Sequence, residues 1–171
     1  MDDWKKKLGK SFNRPQPTQQ QQRQGRNHDQ PRGSTTIPAE YIVKDSFFNS
    51  EGNLKEELFI SNPKEIARLF VENELNSNAL RHLFGSYQRF ATKLRDKRIP
   101  FDKAREQFQI FYAERVIRQN KRKDSRTKKP LMPDIVVDFI DKHKELALKN
   151  EKEMQGLFRY LTNILCYFEG R

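Results

Sequence analysis

The sequence lacks several features that mark other classes of protein. It has one cysteine, Cys166, which excludes an internal disulfide and a zinc site built from several cysteines. It has no run of about 18 apolar residues, so we expect no membrane-spanning helix and no membrane partner. Its first residues lack the apolar stretch of a secretory signal. These absences favour the cytoplasm, a reducing compartment. Cys166 itself follows Leu165 and is predicted to be a small buried side chain.

Motifs of common enzyme classes are also missing. The sequence has no Gly-rich phosphate loop of the Walker or dinucleotide type and no Gly-x-Ser-x-Gly nucleophile motif. Of the three histidines, His28 falls in a polar tail, His82 beside a basic residue, and His143 on an apolar helix face, where histidine is usually structural. We therefore predict a protein that is not an enzyme and that needs no cofactor or metal.

Acidic residues on one predicted helix leave a catalytic alternative open. Asp134, Asp138, Asp141 and Glu145 are spaced so that they share one helix face. A metal-dependent nuclease could use Asp134, Asp138 and Asp141 as ligands. However, an acidic stripe flanked by lysines is more typical of a solvated helix face.

Composition divides the chain into a tail and a domain. Residues 1–36 contain seven glutamines, three prolines and few apolar residues. Such a segment cannot bury enough surface to offset the entropy lost on ordering. We predict a disordered Gln-rich tail over residues 1–36 and a folded domain over residues 37–171.

Apolar residues in the domain recur at helical spacing. Helix starts are indicated at Asn62-Pro63, at Ser77, at Phe101-Asp102 after Pro100, at Pro133-Asp134 and at Asn150. Residues 37–60 carry no clear period and are predicted as short extended pieces followed by a short helix. Because no alternating strand pattern competes, we predict an all-α fold, a compact bundle of about five main helices.

Two predicted helices have more apolar surface than one core face needs. The additional faces consist of Ile110, Ala113 and Ile117 on the third helix and of Tyr160, Ile164 and Tyr167 on the fifth. A helix that is apolar on two sides either lies at the centre of the bundle or contacts another molecule. The sequence leaves both interpretations open.

Positive charge is concentrated in one stretch of the chain. The net charge is +11, and residues 81–129 hold 16 of the 34 Lys and Arg residues against only five Asp and Glu. The second helix is predicted to carry a row of Arg81, Arg89, Lys93 and Lys97. The third is predicted to place Arg115, Arg118 and Arg122 on one face, before a flexible basic loop at 124–130.

This charge distribution predicts nucleic-acid binding. A solvated helix face normally mixes both signs, whereas a phosphate backbone requires positive charge and hydrogen-bond donors. A membrane surface is less suitable, because the opposite helix faces are needed for the core. The predicted phosphate contacts are Arg81, Arg89, Lys93, Arg118, Lys121, Arg122 and Arg126.

Four segments occur in an order that is similar to a known family. They are residues 76–84 with Leu80-Arg81, residues 111–116 with the basic loop that follows to Lys129, residues 135–140, and residues 157–168 with Leu157-Phe158. Together they resemble the small subunit of the type III-A CRISPR effector, the Csm complex, over roughly residues 61–171.

The resemblance implies a non-catalytic RNA-binding subunit that acts in antiviral defence. In that family several copies stack along the guide-carrying backbone subunit, beside the large polymerase-like subunit. Their basic faces contact the target RNA or its duplex with the guide RNA. Besides the nuclease, the remaining alternative is a free-standing basic protein that binds duplex DNA at least as tightly as RNA.

Overall fold

The structure is a computed structural model and describes residues 34–169. The predicted disorder of the tail falls almost entirely outside this range, and the boundary predicted at residues 36 and 37 stays a prediction. The described helices are α1 (Ser61–Glu72), α2 (Ser77–Arg95), α3 (Phe101–Phe111), α4 (Arg118–Lys121), α5 (Asp134–Ala147) and α6 (Glu151–Tyr167).

The predicted all-α bundle of five main helices is confirmed. The third predicted helix consists of α3, a π-helical segment at Tyr112–Ile117 and the single turn α4, which follow one another without a break. Within residues 34–169 the only β-type pairings are two isolated bridges. No helix in this range is both long and apolar enough to cross a membrane.

Helix starts agree with the sequence to within two residues. α6 begins after Asn150, as predicted, and the Asn150 side chain caps it by accepting a hydrogen bond from the backbone N–H of Glu153. The cap of α2 is Asn76, whose side chain accepts from the backbone N–H of Asn78, so the expected cap Ser77 is instead the first helical residue. α1 begins at Ser61 with Ile60 at the cap, two residues before the predicted start at Asn62-Pro63.

α6 is the central helix of the bundle. It packs against α1, α2 and α5, and both Tyr160 and Ile164 of its additional apolar face are fully buried. A central position therefore explains that face. The helix emerges from the core at its end, where Tyr167 is partly exposed and Cys166 is exposed. The prediction that Cys166 is buried is wrong, because it lies on the outer side of this last turn.

The additional apolar face of the third predicted helix, in contrast, lies mostly at the surface. Ile110 is 44% exposed and Ala113 is also exposed, whereas Ile117 is half-buried. The described part of the chain therefore covers this face only at Ile117. It lies beside the basic residues of α2, which makes it part of the candidate interface below.

Residues 37–60, here called the N-terminal strap, cross the surface of α5 and α6. The strap has only two short 3-10 turns of its own, at Ala39–Tyr41 and Glu56–Leu58. Side chains of the two helices accept hydrogen bonds from its backbone: Asp138 from the N–H of Ile37 at 2.8 Å, His143 from Val43 at 3.1 Å, and Glu153 from Phe47 at 2.9 Å. The strap is thus held by partners about 100 residues away in sequence.

Candidate nucleic-acid interface

α2 presents its basic side chains on exposed surface. Its opposite face is buried through Leu80, Leu83, Tyr87, Phe90, Ala91 and Leu94. Arg81, Arg89 and Lys93 are exposed and spaced by eight and four residues, so they lie on one side of the helix. Their alignment agrees with the sequence-based prediction.

Lys97 does not continue this row. α2 ends at Arg95, and Lys97 adopts a left-handed backbone conformation with φ of 56°. Its ammonium donates a hydrogen bond to the carboxylate of Glu151 at 2.6 Å. The predicted four-residue row is therefore wrong at its last member, because the chain turns away at the helix end.

The predicted single face of Arg115, Arg118 and Arg122 is also not formed. The π-helical segment holds more residues per turn than an α-helix, which rotates the side chains after it relative to those before it. Arg115 lines a groove between α2 and α3, whereas Arg118 does not. Arg122 follows the end of α4 in an extended conformation.

The π-helical segment is attached to α5 through Asp141. The Tyr112 hydroxyl donates to the Asp141 carboxylate, which also pairs with the Lys144 ammonium at 2.9 Å. Partial burial opposes ionisation of Asp141, but the hydrogen bonds from Tyr112 and Lys144 outweigh it and lower its pKa. Burial, followed by the hydrogen bond to this carboxylate, raises the pKa of Tyr112. Asp141 is thus a charged anchor within the fold.

The other two aspartates of the acidic stripe have structural partners as well, and Glu145 is exposed. Asp134 accepts a hydrogen bond from the Asn120 side-chain amide at 2.7 Å, and Asp138 holds the strap at Ile37. Across residues 34–169, no three His, Cys, Asp or Glu side chains converge to hold a metal ion. The described residues therefore offer the nuclease alternative no cluster of metal ligands.

The basic loop after α4 is a hydrogen-bonded hairpin. The backbone N–H of Asp124 donates to the carbonyl of Lys129 at 2.8 Å, and Leu131 donates to Arg122 at 2.9 Å. The Asp124 carboxylate accepts from the backbone N–H groups of Thr127 and Arg126, and these two bonds lower its pKa. The loop thus has a defined turn, which Asp124 organises and which leaves Arg126 exposed near its tip.

The seven predicted phosphate contacts share one further property. All are exposed, and none forms an ion pair with a carboxylate of the described residues. Other cations of the same stretch are paired: Lys97 with Glu151, for example, and Lys129 with Glu74. An exposed cation without a protein counter-charge is available to a phosphate. The set comprises Arg81, Arg89 and Lys93 on α2, Arg118 and Lys121 on α4, Arg122 at its end, and Arg126 on the hairpin.

Arg115 was not predicted to lie with Arg89 and Lys93. The three residues line one groove. Helical periodicity placed Arg115 with Arg118 instead, because nothing in the residue pattern marks the π-helical segment that contains Arg115 and ends just before Arg118.

No protein-family model, no curated protein and no solved structure matches this chain. The fold and the surface together define an all-α bundle with exposed basic side chains on α2, on α4 and on the hairpin after α4, which have no carboxylate partner between residues 34 and 169.

Proposed function

We propose that this chain is a non-catalytic RNA-binding subunit of a ribonucleoprotein effector of the type III-A CRISPR class. The observation that carries the proposal is the set of seven exposed basic residues that have no carboxylate partner in the described part of the chain. Such cations neutralise RNA phosphates and displace the counterions condensed on the RNA, which gives affinity without reading the base sequence.

The assignment to this class of effector rests on the resemblance of the four segments. Residues 76–84 and 157–168 lie on α2 and α6, which pack against each other, and the basic stretch that follows residues 111–116 forms α4 and its hairpin. In this proposal the chain works in the cytoplasm with guide RNA, target RNA, the backbone subunit and the large polymerase-like subunit. Further copies of the chain stack beside it.

Charge reversal at α4 and the hairpin is expected to weaken RNA binding. The full chain with Arg118→Glu, Arg122→Glu and Arg126→Glu should bind a fluorescein-labelled oligouridylate at least about tenfold more weakly at low salt. The slope of log affinity against log salt should fall by about 0.7 for each phosphate that the variant no longer neutralises, or about 2 for all three. Fluorescence anisotropy between about 50 and 200 mM salt measures both quantities.

A matched variant separates a local site from a general effect of net charge. Lys44→Glu, Lys64→Glu and Lys149→Glu change the net charge equally at exposed residues outside the basic stretch. This control should bind almost as the unmodified chain does. Equal losses in the two triple variants would contradict the site, and competition by duplex DNA at least as strong as by RNA would favour the free-standing alternative.

Purification of the tagged chain from its native cells tests the assembly itself. We expect repeat-containing guide RNAs and a large polymerase-like subunit to be recovered with it. Recovery of the chain alone, or with bulk DNA, would contradict the effector assignment.

A further inference from the structure

A surface groove runs between α2 and the continuous helix formed by α3 and the π-helical segment. Its volume is about 470 Å³. Its polar lining includes Arg89 and Lys93 on the α2 side and Lys103, Gln107, Glu114 and Arg115 on the α3 side. Its floor is the outer edge of the aromatic core, at Phe90 and Phe111.

Basic side chains line both walls of the groove. Arg89 and Lys93 have no ion pair within the described residues, and neither has Arg115. Lys103 pairs with Glu106 on its own helix, but an exposed pair of this kind is weak and can be exchanged for a phosphate. Glu114 is the one acidic residue among those that line the groove. The lining therefore favours an anionic occupant.

The groove also has features that suit a nucleotide strand. Arg89 is oriented by a hydrogen bond to the Ser86 hydroxyl at 3.2 Å, and Ser86 in turn donates to the carbonyl of His82. The Gln107 amide offers a donor and an acceptor, which a ribose 2′-hydroxyl can use. Ile110 borders the groove with an exposed apolar surface that a ribose or base can cover.

We propose that this groove holds the sugar-phosphate backbone of a single RNA strand, with Arg115 and Lys103 as contacts opposite Arg89 and Lys93. This proposal rests on the proposed function and adds the path of the RNA strand, which is the groove and is called the track below. A groove of about 470 Å³ accommodates a short length of one strand, whereas a duplex is too wide to enter it. The π-helical segment directs Arg115 into this track, in keeping with the frequent occurrence of such segments at functional sites.

Two opposite charge changes in the groove test this track. Lys93→Glu with Arg115→Glu should weaken binding of the full chain to labelled oligouridylate at least about fivefold and lower the salt slope by about 1.4. Glu114→Gln should strengthen binding about two- to threefold, because it removes repulsion between a carboxylate and the phosphates. A gain of affinity cannot arise from misfolding, so the second variant protects the test from that ambiguity.

The control Lys44→Glu with Lys64→Glu matches the charge change outside the groove. A photoreactive benzophenone side chain at position 110 should crosslink to the RNA, whereas the same group at position 60, where Ile60 is 62% exposed, should not.

Each result has a defined meaning. If the groove variants bind as the unmodified chain does while the α4 and hairpin variant loses binding, the track is refuted and the proposed function stands. If the unmodified chain fails to bind RNA at low salt, the proposed function is refuted and the track with it. If the groove variants weaken binding of duplex RNA as much as that of single strands, the single-strand assignment is refuted.

Discussion

Gly156→Ala is expected to destabilise the domain by about 3 kcal/mol, at the upper end of the usual cost of overpacking. Gly156 is buried on α6 against the strap, and a Cβ there would lie 2.6 Å from the Cβ of Phe47 and 2.8 Å from two of its ring atoms. Phe47 cannot easily withdraw, because its backbone N–H is bonded to Glu153 and its carbonyl accepts from Lys55. The substitution therefore strains the contact that joins the strap to the central helix.

Gly85→Ala is the matched control and should change the free energy of unfolding in the opposite direction. Gly85 also lies in a helix, α2, but a Cβ there meets no atom within 4 Å. Alanine should therefore stabilise the domain by up to about 1 kcal/mol, since it favours the helix and restricts the unfolded chain. Urea unfolding followed by circular dichroism measures both variants. Equal effects of the two substitutions would show that Phe47 does not press on Gly156.

Helical periodicity predicted the bundle but not the strap. The five helices follow from apolar spacing and from end signals such as Pro100 and Asn150, which act within a few residues of the helix they delimit. The strap has no such local pattern. Its backbone is satisfied by His143 and Glu153, and sequence spacing cannot show that distant side chains provide the partners.

The candidate interface was also predictable only in part. Exposure of Arg81, Arg89 and Lys93 follows from the position of the apolar face of α2, so sequence could predict it. The pairing of Lys97 with Glu151 depends on where α2 ends relative to the start of α6, and this is a tertiary contact. The direction of Arg115 depends on the π-helical segment. That segment begins at Tyr112, whose hydroxyl contacts Asp141. A helical spacing rule that assumes a uniform turn cannot detect it.

Acidification from pH 7 to pH 5 is expected to lower the free energy of unfolding by about 2 kcal/mol through His143 alone. His143 is fully buried among the rings of Phe47, Phe139 and Tyr160. Burial lowers its pKa from 6.5 to about 4, against the opposing effects of the Phe139 carbonyl and the charge of Asp138. Its Nδ1 is 2.7 Å from that carbonyl, which can only accept, so Nδ1 carries the proton and Nε2 accepts from Val43.

The direction of the pH effect follows from these two pKa values. Between pH 6.5 and about 4 the unfolded chain binds a proton at His143 and the folded chain does not, so stability falls as the pH falls through this window. A proton on Nε2 would also remove the acceptor of the Val43 N–H and release the strap. Urea unfolding at pH 7, 6 and 5 measures the loss, and His143→Gln is the control that keeps a possible acceptor but cannot titrate. Ionisable groups elsewhere are common to both chains, so the difference between them isolates His143. If the His143→Gln chain loses as much stability over this range as the unmodified chain, the buried neutral histidine is not the cause.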